Sequence, residues 1–305
     1  SPVDVPINRI SSFTWTGSRL VDEKIILDGI PSAAIHDGGR LAFGPDGKLY
    51  ATAGDAAEPD RAQDTGRMNG KVLRLNEDGT APGDNPFATV PGASEHVWSF
   101  GHRNPQGLAW HASGTLFATE HGPSGDAGFC CHDEVNLIGP GKNYGWPKAW
   151  GNEGENGFER PLVESGLDTW APGGATFLGD DLYFGALRGK HVHHVRLDHS
   201  DPSKVLSHEK LYEGKFGRVR DVVASRDGSL LITTSNRDGR GQPADGDDLV
   251  IRLRVGSAVD SRGAPSLDSV PTASANILTP STSPHHVART RLPLRRASHQ
   301  VRQAP

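Results

Sequence analysis

No stretch of this 305-residue chain approaches the ~18 consecutive apolar residues that a membrane-spanning helix needs, so the chain is read as soluble, without a transmembrane segment. Sustained helical periodicity is equally scarce, which leaves strands to supply the core. Cysteine is nearly absent: only Cys130 and Cys131 occur, and neighbours in sequence cannot staple distant elements. The pair is read as two thiols or a vicinal disulfide stiffening one loop. The lack of a second cysteine pair argues against a metal site there, although His132 follows directly. An excess of cations is missing too. The formal charge is −5, and the segment from Ser257 onward carries six Arg against Asp260 and Asp268, or +4, so the body carries −9. An acidic body excludes a general nucleic-acid binder.

What is abundant is glycine (38) and proline (22), together about a fifth of the positions. With few long apolar runs, that composition favours many short strands joined by turns. Four related strings recur: LAFGPDGKLYATAGD from Leu41, LAWHASGTLFATEHG from Leu108, a shorter ATFLGDDLYFGAL from Ala175, and VVASRDGSLLITTSN from Val222. Each is an apolar strand, a tight turn such as Asp46-Gly47 or Asp227-Gly228, and a second alternating strand. Asp-Gly between alternating apolar runs is a strong hairpin signal. Further strands are expected at Lys71–Leu75, Val192–Leu197 and Leu249–Val255. The repeats begin 67, 67 and 47 residues apart. Hairpin-rich blades of roughly 40–50 residues fit that spacing with long loops between them. The expected fold is therefore all-β, a β-propeller over 1–256 whose blades converge on one central site; a β-sandwich is the main competitor. The segment 257–305, rich in Pro, Ser and Arg and free of aromatics, is expected to be a disordered basic tail.

The region from Gly101 to Pro147 concentrates hydrogen-bonding side chains between glycines and prolines. It holds GHRNPQG, EHGP and DEVNLIGPGKNYGWP. With IHDGGRLAFGPDGKLY (35–50), GKVLRLNEDGTAPGDNPF (70–87) and GRVRDVVASRDGSLL (217–231), these strings resemble the soluble quinoprotein glucose/sorbosone dehydrogenase family, aldose sugar dehydrogenases included. The resemblance runs from about residue 8 to 255. It implies a six-bladed propeller that binds pyrroloquinoline quinone (PQQ) and Ca²⁺ and oxidises aldoses at C1 to lactones. It also implies an external electron acceptor, an extracellular or periplasmic location and a homodimer. The start, SPVDVPINRI, has no initiator Met and no signal-peptide pattern. No counterpart of the family's first blade precedes it, so about five blades are expected, with INRISSFTWTGSRL as an outer hairpin.

Through the resemblance His36 is the catalytic base; taken alone, a His before a Gly-Gly turn is an ordinary loop residue. A neutral imidazole suits removal of the C1 hydroxyl proton near neutral pH. Ile35 stands where some members carry an acid, and Asp37 follows instead, which leaves the partner of the imidazole open. PQQ is a planar tricyclic quinone with three carboxylates, so guanidinium forks and flat walls suit it. Arg103 and Asn104 match the family's cofactor pair, Arg218 and Arg220 a second pair on one strand face, and Thr169, Arg188 and His121 further cofactor positions. A surface ion pair, such as Arg220 with Asp221, is the plain alternative for any one of these arginines. Gly122 and Pro123 match the turn whose carbonyls bind Ca²⁺ beside the quinone. Asp133, Glu134 and Tyr144 match a structural calcium site, or form a satisfied turn with a buried Tyr. The insertion Asp126 to His132 interrupts this segment. Two other functions stay open: a propeller that binds sugars or partners without turnover, and a calcium-dependent sugar lactonase, which the Arg-rich centre disfavours.

Overall fold

The computed structural model describes residues 6–125 and 128–254, and the backbone of a short strand at 275–277. Apart from that strand, the expected tail at 257–305 lies outside the described residues, as do Asp126 and Ala127 of the insertion.

The described residues contain no α-helix. Strands β1 (Ile7–Trp15) and β2 (Leu20–Pro31) form an antiparallel hairpin with Trp15 opposite Leu20. Four antiparallel four-stranded sheets follow. The first holds β3 (Leu41–Phe43), β4 (Leu49–Ala53), β5 (Lys71–Leu75) and β6 (Val97–Phe100). The second holds β7 (Pro105–Trp110), β8 (Leu116–Glu120), β9 (Glu134–Ile138) and, beyond the small hairpin β10 (Ala149–Trp150) and β11 (Glu153–Gly154), β12 (Val163–Glu164). The third is β13 (Pro172–Leu178), β14 (Asp181–Ala186), β15 (His191–Leu197) and β16 (Val205–Leu211). The fourth is β17 (Val219–Ala224), β18 (Ser229–Thr234), β19 (Val250–Arg254) and β20 (Ala275–Ile277).

The expected hairpins form for the expected reason. At Asp46 and Asp227 the side chain accepts the N–H two residues on, and the following glycine takes φ of +71° and +77°. That is the backbone such tight turns require.

Both faces of the middle strands are buried, so β4, β5 and β8 are enclosed along their whole length. On β4, Leu49, Ala51 and Ala53 pack with Leu73, Val97 and Ile10, Leu27 and Ile30 of the hairpin, while Tyr50 faces Leu108, Leu116 and Ile138 of the second sheet. Phe117 and Val135 then meet Leu182, Phe184 and Val195 of the third sheet, and Tyr183 and Val192 meet Val222, Ile232 and Ile251 of the fourth. Alternate residues of each strand thus serve the sheet before and the sheet after. Sheets stacked face to face in sequence order, with first strand β13 in contact with both β7 and β17, make the propeller. Where about five blades are expected, the described residues give four four-stranded sheets and the β1–β2 hairpin.

Candidate active site

Antiparallel order fixes where function can gather. The starts of the first strands (β3, β7, β13, β17) and the ends of the second strands (β4, β8, β14, β18) share one face of the ring. His36 precedes β3 and Asp55 follows β4; Arg103 and Asn104 precede β7 and His121 follows β8. Arg188 follows β14, and Arg218 and Arg220 sit at the start of β17. One mouth therefore receives a contribution from each of the four four-stranded sheets.

His36 lies in a left-handed backbone conformation (φ +62°), in a loop that rests on Gly54, where any Cβ would collide with the His36 carbonyl oxygen. Its Nδ1–H donates to Asp55 Oδ1 at 2.9 Å. Asp55 is fully buried and is itself fixed by the Ala57 N–H on Oδ1 (2.9 Å) and the Trp146 Nε1–H on Oδ2 (2.8 Å). Neutral His36 then carries its proton on Nδ1 and keeps Nε2 as an acceptor. The adjacent Asp37 is spent elsewhere, accepting from the Ala33 N–H and Asn8 Nδ2. Asp55 is the residue that sequence reasoning missed, although it closes the first repeat where Gly122 closes the second.

Arg103 is buried, lies over the Trp146 ring at 5.6 Å and donates to the His121 carbonyl at 3.2 Å. Asn104 accepts from the Gly38 N–H (3.1 Å) and Gln106 (2.9 Å), which ties the His36 loop to the second sheet. His121 donates from Nε2 to the Pro172 carbonyl at 2.9 Å, bridging to the third sheet. Its proton affinity is pushed down to about 3, first by burial and then by the nearby Arg103, Arg220 and His36. Across the mouth, Arg218 and Arg220 both reach Asp238, so the expected shared strand face is formed. Asp221, the sequence neighbour, points away and pairs with Arg40 at 2.9 Å. The backbone N–H of exposed Arg188 donates to the carbonyl of Trp170, next to Thr169, and Arg218 Nη1 donates to the Leu187 carbonyl at 3.3 Å. Thr169, Arg188 and Arg218 are thus neighbours. Burial and the like charges of Arg218 and Arg240 lower the proton affinity of Arg220. Such a concentration of cations suits a polyanion.

Beside this cluster the Gly122-Pro123 turn is pressed against the backbone of Cys131 and His132, leaving no room for a side chain at Gly122. Among the described residues no donor reaches the Gly122 carbonyl, while the bridge between Ser124 and Cys130 turns the Cys131 N–H toward the Pro123 carbonyl. Asp133 holds the turn from below. Its buried carboxylate accepts from the N–H groups of Gly122 (2.9 Å), Trp170 (2.6 Å) and Ala171 (2.8 Å). Glu134 instead faces a small cavity of about 10 Å³ lined also by Glu120, Tyr144, Trp146 and Pro123. Burial, and next the charge of Glu120, push the Glu134 carboxyl well above the usual carboxylate range. The Tyr144 hydroxyl donates to the Leu137 carbonyl and accepts from the Gly139 N–H. No cluster of three His, Cys, Asp or Glu side chains suited to a metal forms among the described residues. Cys130 and Cys131 are joined as a disulfide.

Fold and site together define an all-β ring with a cationic mouth and a carboxylate-held histidine. The chain belongs to the Glucose / Sorbosone dehydrogenase family, whose model matches residues 6–250. It is 33% identical over 245 residues to the aldose sugar dehydrogenase YliI of Escherichia coli, covering 73% of this chain and 64% of that one. To the quinoprotein glucose dehydrogenase B of Acinetobacter calcoaceticus it is 40% identical over 170 residues, 49% of this chain and 34% of that one. It thus spans less than two thirds of the length of the curated relatives it matches. The solved PQQ-bound aldose sugar dehydrogenase of Streptomyces coelicolor superposes with a TM-score of 0.70 at 37% identity, over 81% of this chain and 71% of that one. A glucose dehydrogenase-type oxidoreductase of Thermus thermophilus gives 0.76 at 46% identity, over 81% and 74%.

Proposed function

We propose that this chain oxidises aldose sugars at C1 to lactones with bound PQQ and Ca²⁺, and that His36 is the general base. The observation that carries the reading is the His36–Asp55 pair, held with Nε2 free beside a cluster of cations drawn from three sheets. The residues present fit the cofactor. Arg103, Arg218, Arg220 and Arg188 supply positive charge for three carboxylates, Asn104, Thr169 and His121 supply polar contacts, and Trp146 backs Arg103. The Gly122 and Pro123 carbonyl oxygens suit a hard cation. Glu134, Glu120 and Tyr144 line the cavity for a second ion, while Asp133 braces the turn. When bound, PQQ supplies the hydride acceptor and Ca²⁺ polarises it. His36 Nε2 takes the hydroxyl proton as the C1 hydrogen leaves with its electron pair, and Asp55 steadies the imidazolium that results. An external electron acceptor, an extracytoplasmic location and a homodimer belong to the same proposal.

The test is reconstitution with PQQ and Ca²⁺, followed by dye reduction with a panel of aldoses. Turnover that needs both additions and is lost in His36→Ala supports the reading; turnover unchanged in His36→Ala sinks the base assignment.

A second reading, a propeller that binds sugar or partners without turnover, is favoured by one feature. A groove of about 620 Å³ opens between the β1–β2 hairpin and β3, lined by Ile10, Ile26, Leu41 and Phe43. Tight PQQ binding without turnover on any aldose supports this second reading.

A further inference from the structure

On the side of the mouth away from His36, four donors converge on a single carboxylate oxygen. Asp238 Oδ2 accepts from Nε and Nη2 of Arg218 at 2.9 and 2.8 Å, from Nη2 of Arg220 at 3.2 Å and from Ser235 Oγ at 3.4 Å. Oδ1 caps its own loop by accepting the Arg240 N–H at 3.0 Å. Arg218 is enclosed, with 10% of its side chain exposed, whereas Arg220 is 41% exposed toward the mouth. The protein thus places an anion of its own against the two guanidinium groups assigned to an anionic cofactor.

We infer that Asp238 is a resident stand-in for a cofactor carboxylate, a positioning residue that sets how tightly and how long PQQ is held by neutralising Arg218 and Arg220. The inference rests on reading the mouth as a PQQ site. The same contacts are compatible with the opposite role, in which Asp238 aligns the arginines and so aids binding. Two features favour competition. Arg218 is already fixed by burial and by the Leu187 carbonyl, and the β17 backbone fixes where Arg220 starts, so alignment needs no further anion. A carboxylate this close to an incoming carboxylate repels it. At ~6 Å and an effective dielectric between those of water and a protein surface, that repulsion corresponds to a few-fold to a hundred-fold in affinity. Removing the charge while keeping the shape therefore tightens binding.

The experiment titrates PQQ into the Ca²⁺-loaded apoprotein, follows quenching of tryptophan fluorescence for Kd, and measures release by stopped flow. Asp238→Asn is expected to lower Kd by about ten-fold and slow release, with the gain shrinking at high salt. In an Arg220→Gln background the same change is expected to give a smaller gain, because only Arg218 is left to be unmasked. Equal or weaker binding by an Asp238→Asn protein with the parent's melting temperature overturns the inference and leaves the site reading intact. If that variant does not fold, Asp238→Ser is read in the same way. Failure of the parent protein to bind PQQ overturns the site reading and this inference with it.

Discussion

In the proposed reaction, proton transfer turns on one ring nitrogen. Because His36 Nδ1–H is committed to Asp55, Nε2 is left as the acceptor, and Asp55 is aimed by Ala57 and Trp146. Asp55→Asn keeps the volume but offers the ring an N–H donor, which favours the tautomer with the proton on Nε2 and removes the base. We expect kcat to fall by ~10²-fold or more with PQQ affinity nearly unchanged. A fall in PQQ affinity that matches the fall in kcat would mean that Asp55 only shapes the cofactor pocket. Little of this was legible in the sequence. His36 could be picked out by its motif, but its partner lies 19 residues on and is fixed by Trp146, 91 residues further. The neighbouring Asp37 offered itself and was wrong-facing. Arg220 repeats the lesson: alternation along β17 sends Asp221 to the other face, so Arg220 pairs with Asp238 instead.

Among the elements, the hairpins were the most readable part of the fold, because an Asp-Gly turn and two alternating strands are a local signal. The outer strand β16 was not, since VLSHEKL is exposed or half-exposed along its length and has no apolar alternation. The β15–β16 pair nevertheless holds a device with a measurable signature. His191 Nδ1–H donates to the Gly189 carbonyl, so Nε2 accepts from His193 Nε2–H, and His193 Nδ1 accepts from His208 Nε2–H, each at 2.7 Å. Packed among Trp170 and Phe184 and near Lys210, all three rings have their proton affinity lowered, chiefly by burial. The unfolded chain binds protons at these rings near pH 6.5 while the folded chain does not. Stability is therefore full above that pH and declines as pH falls below it. Urea midpoints measured from pH 8 to pH 5 should drop, and His193→Phe should flatten the slope; an unchanged slope would place the acid sensitivity elsewhere. The turn before β9 carries a second expectation. Asp133→Ala strands three N–H groups, two of them buried and one half-buried, and should cost about 3–5 kcal/mol of unfolding free energy in urea titrations, with Asp133→Asn costing less.

For the molecule as a whole, the site exists only if the ring brings both ends of the described chain together. His36 stands before the first complete sheet and Arg218 and Arg220 open the last. One contact spans that distance: Arg40 Nη1 donates to Asp221 Oδ2 at 2.9 Å across 181 residues, and Arg40 Nε donates to the Gln106 carbonyl at 3.0 Å. Gly174 of β13 lies so close to both side chains that a Cβ there would strike Asp221. Four first strands therefore meet at one ion pair, which is less than a third exposed. Asp221→Asn removes the charge and keeps the shape. It should cost about 1–3 kcal/mol, a fall in Tm of roughly 2–12 °C for a domain of this size. A cycle with Arg40→Met distinguishes closure from local packing. If the pair closes the ring, the double variant is barely less stable than either single one, and PQQ affinity falls in all three although none of the residues assigned to the cofactor is altered. Additive losses in Tm with unchanged PQQ affinity would show that the sheets hold one another through their stacked faces alone, and that the site tolerates a loosened centre.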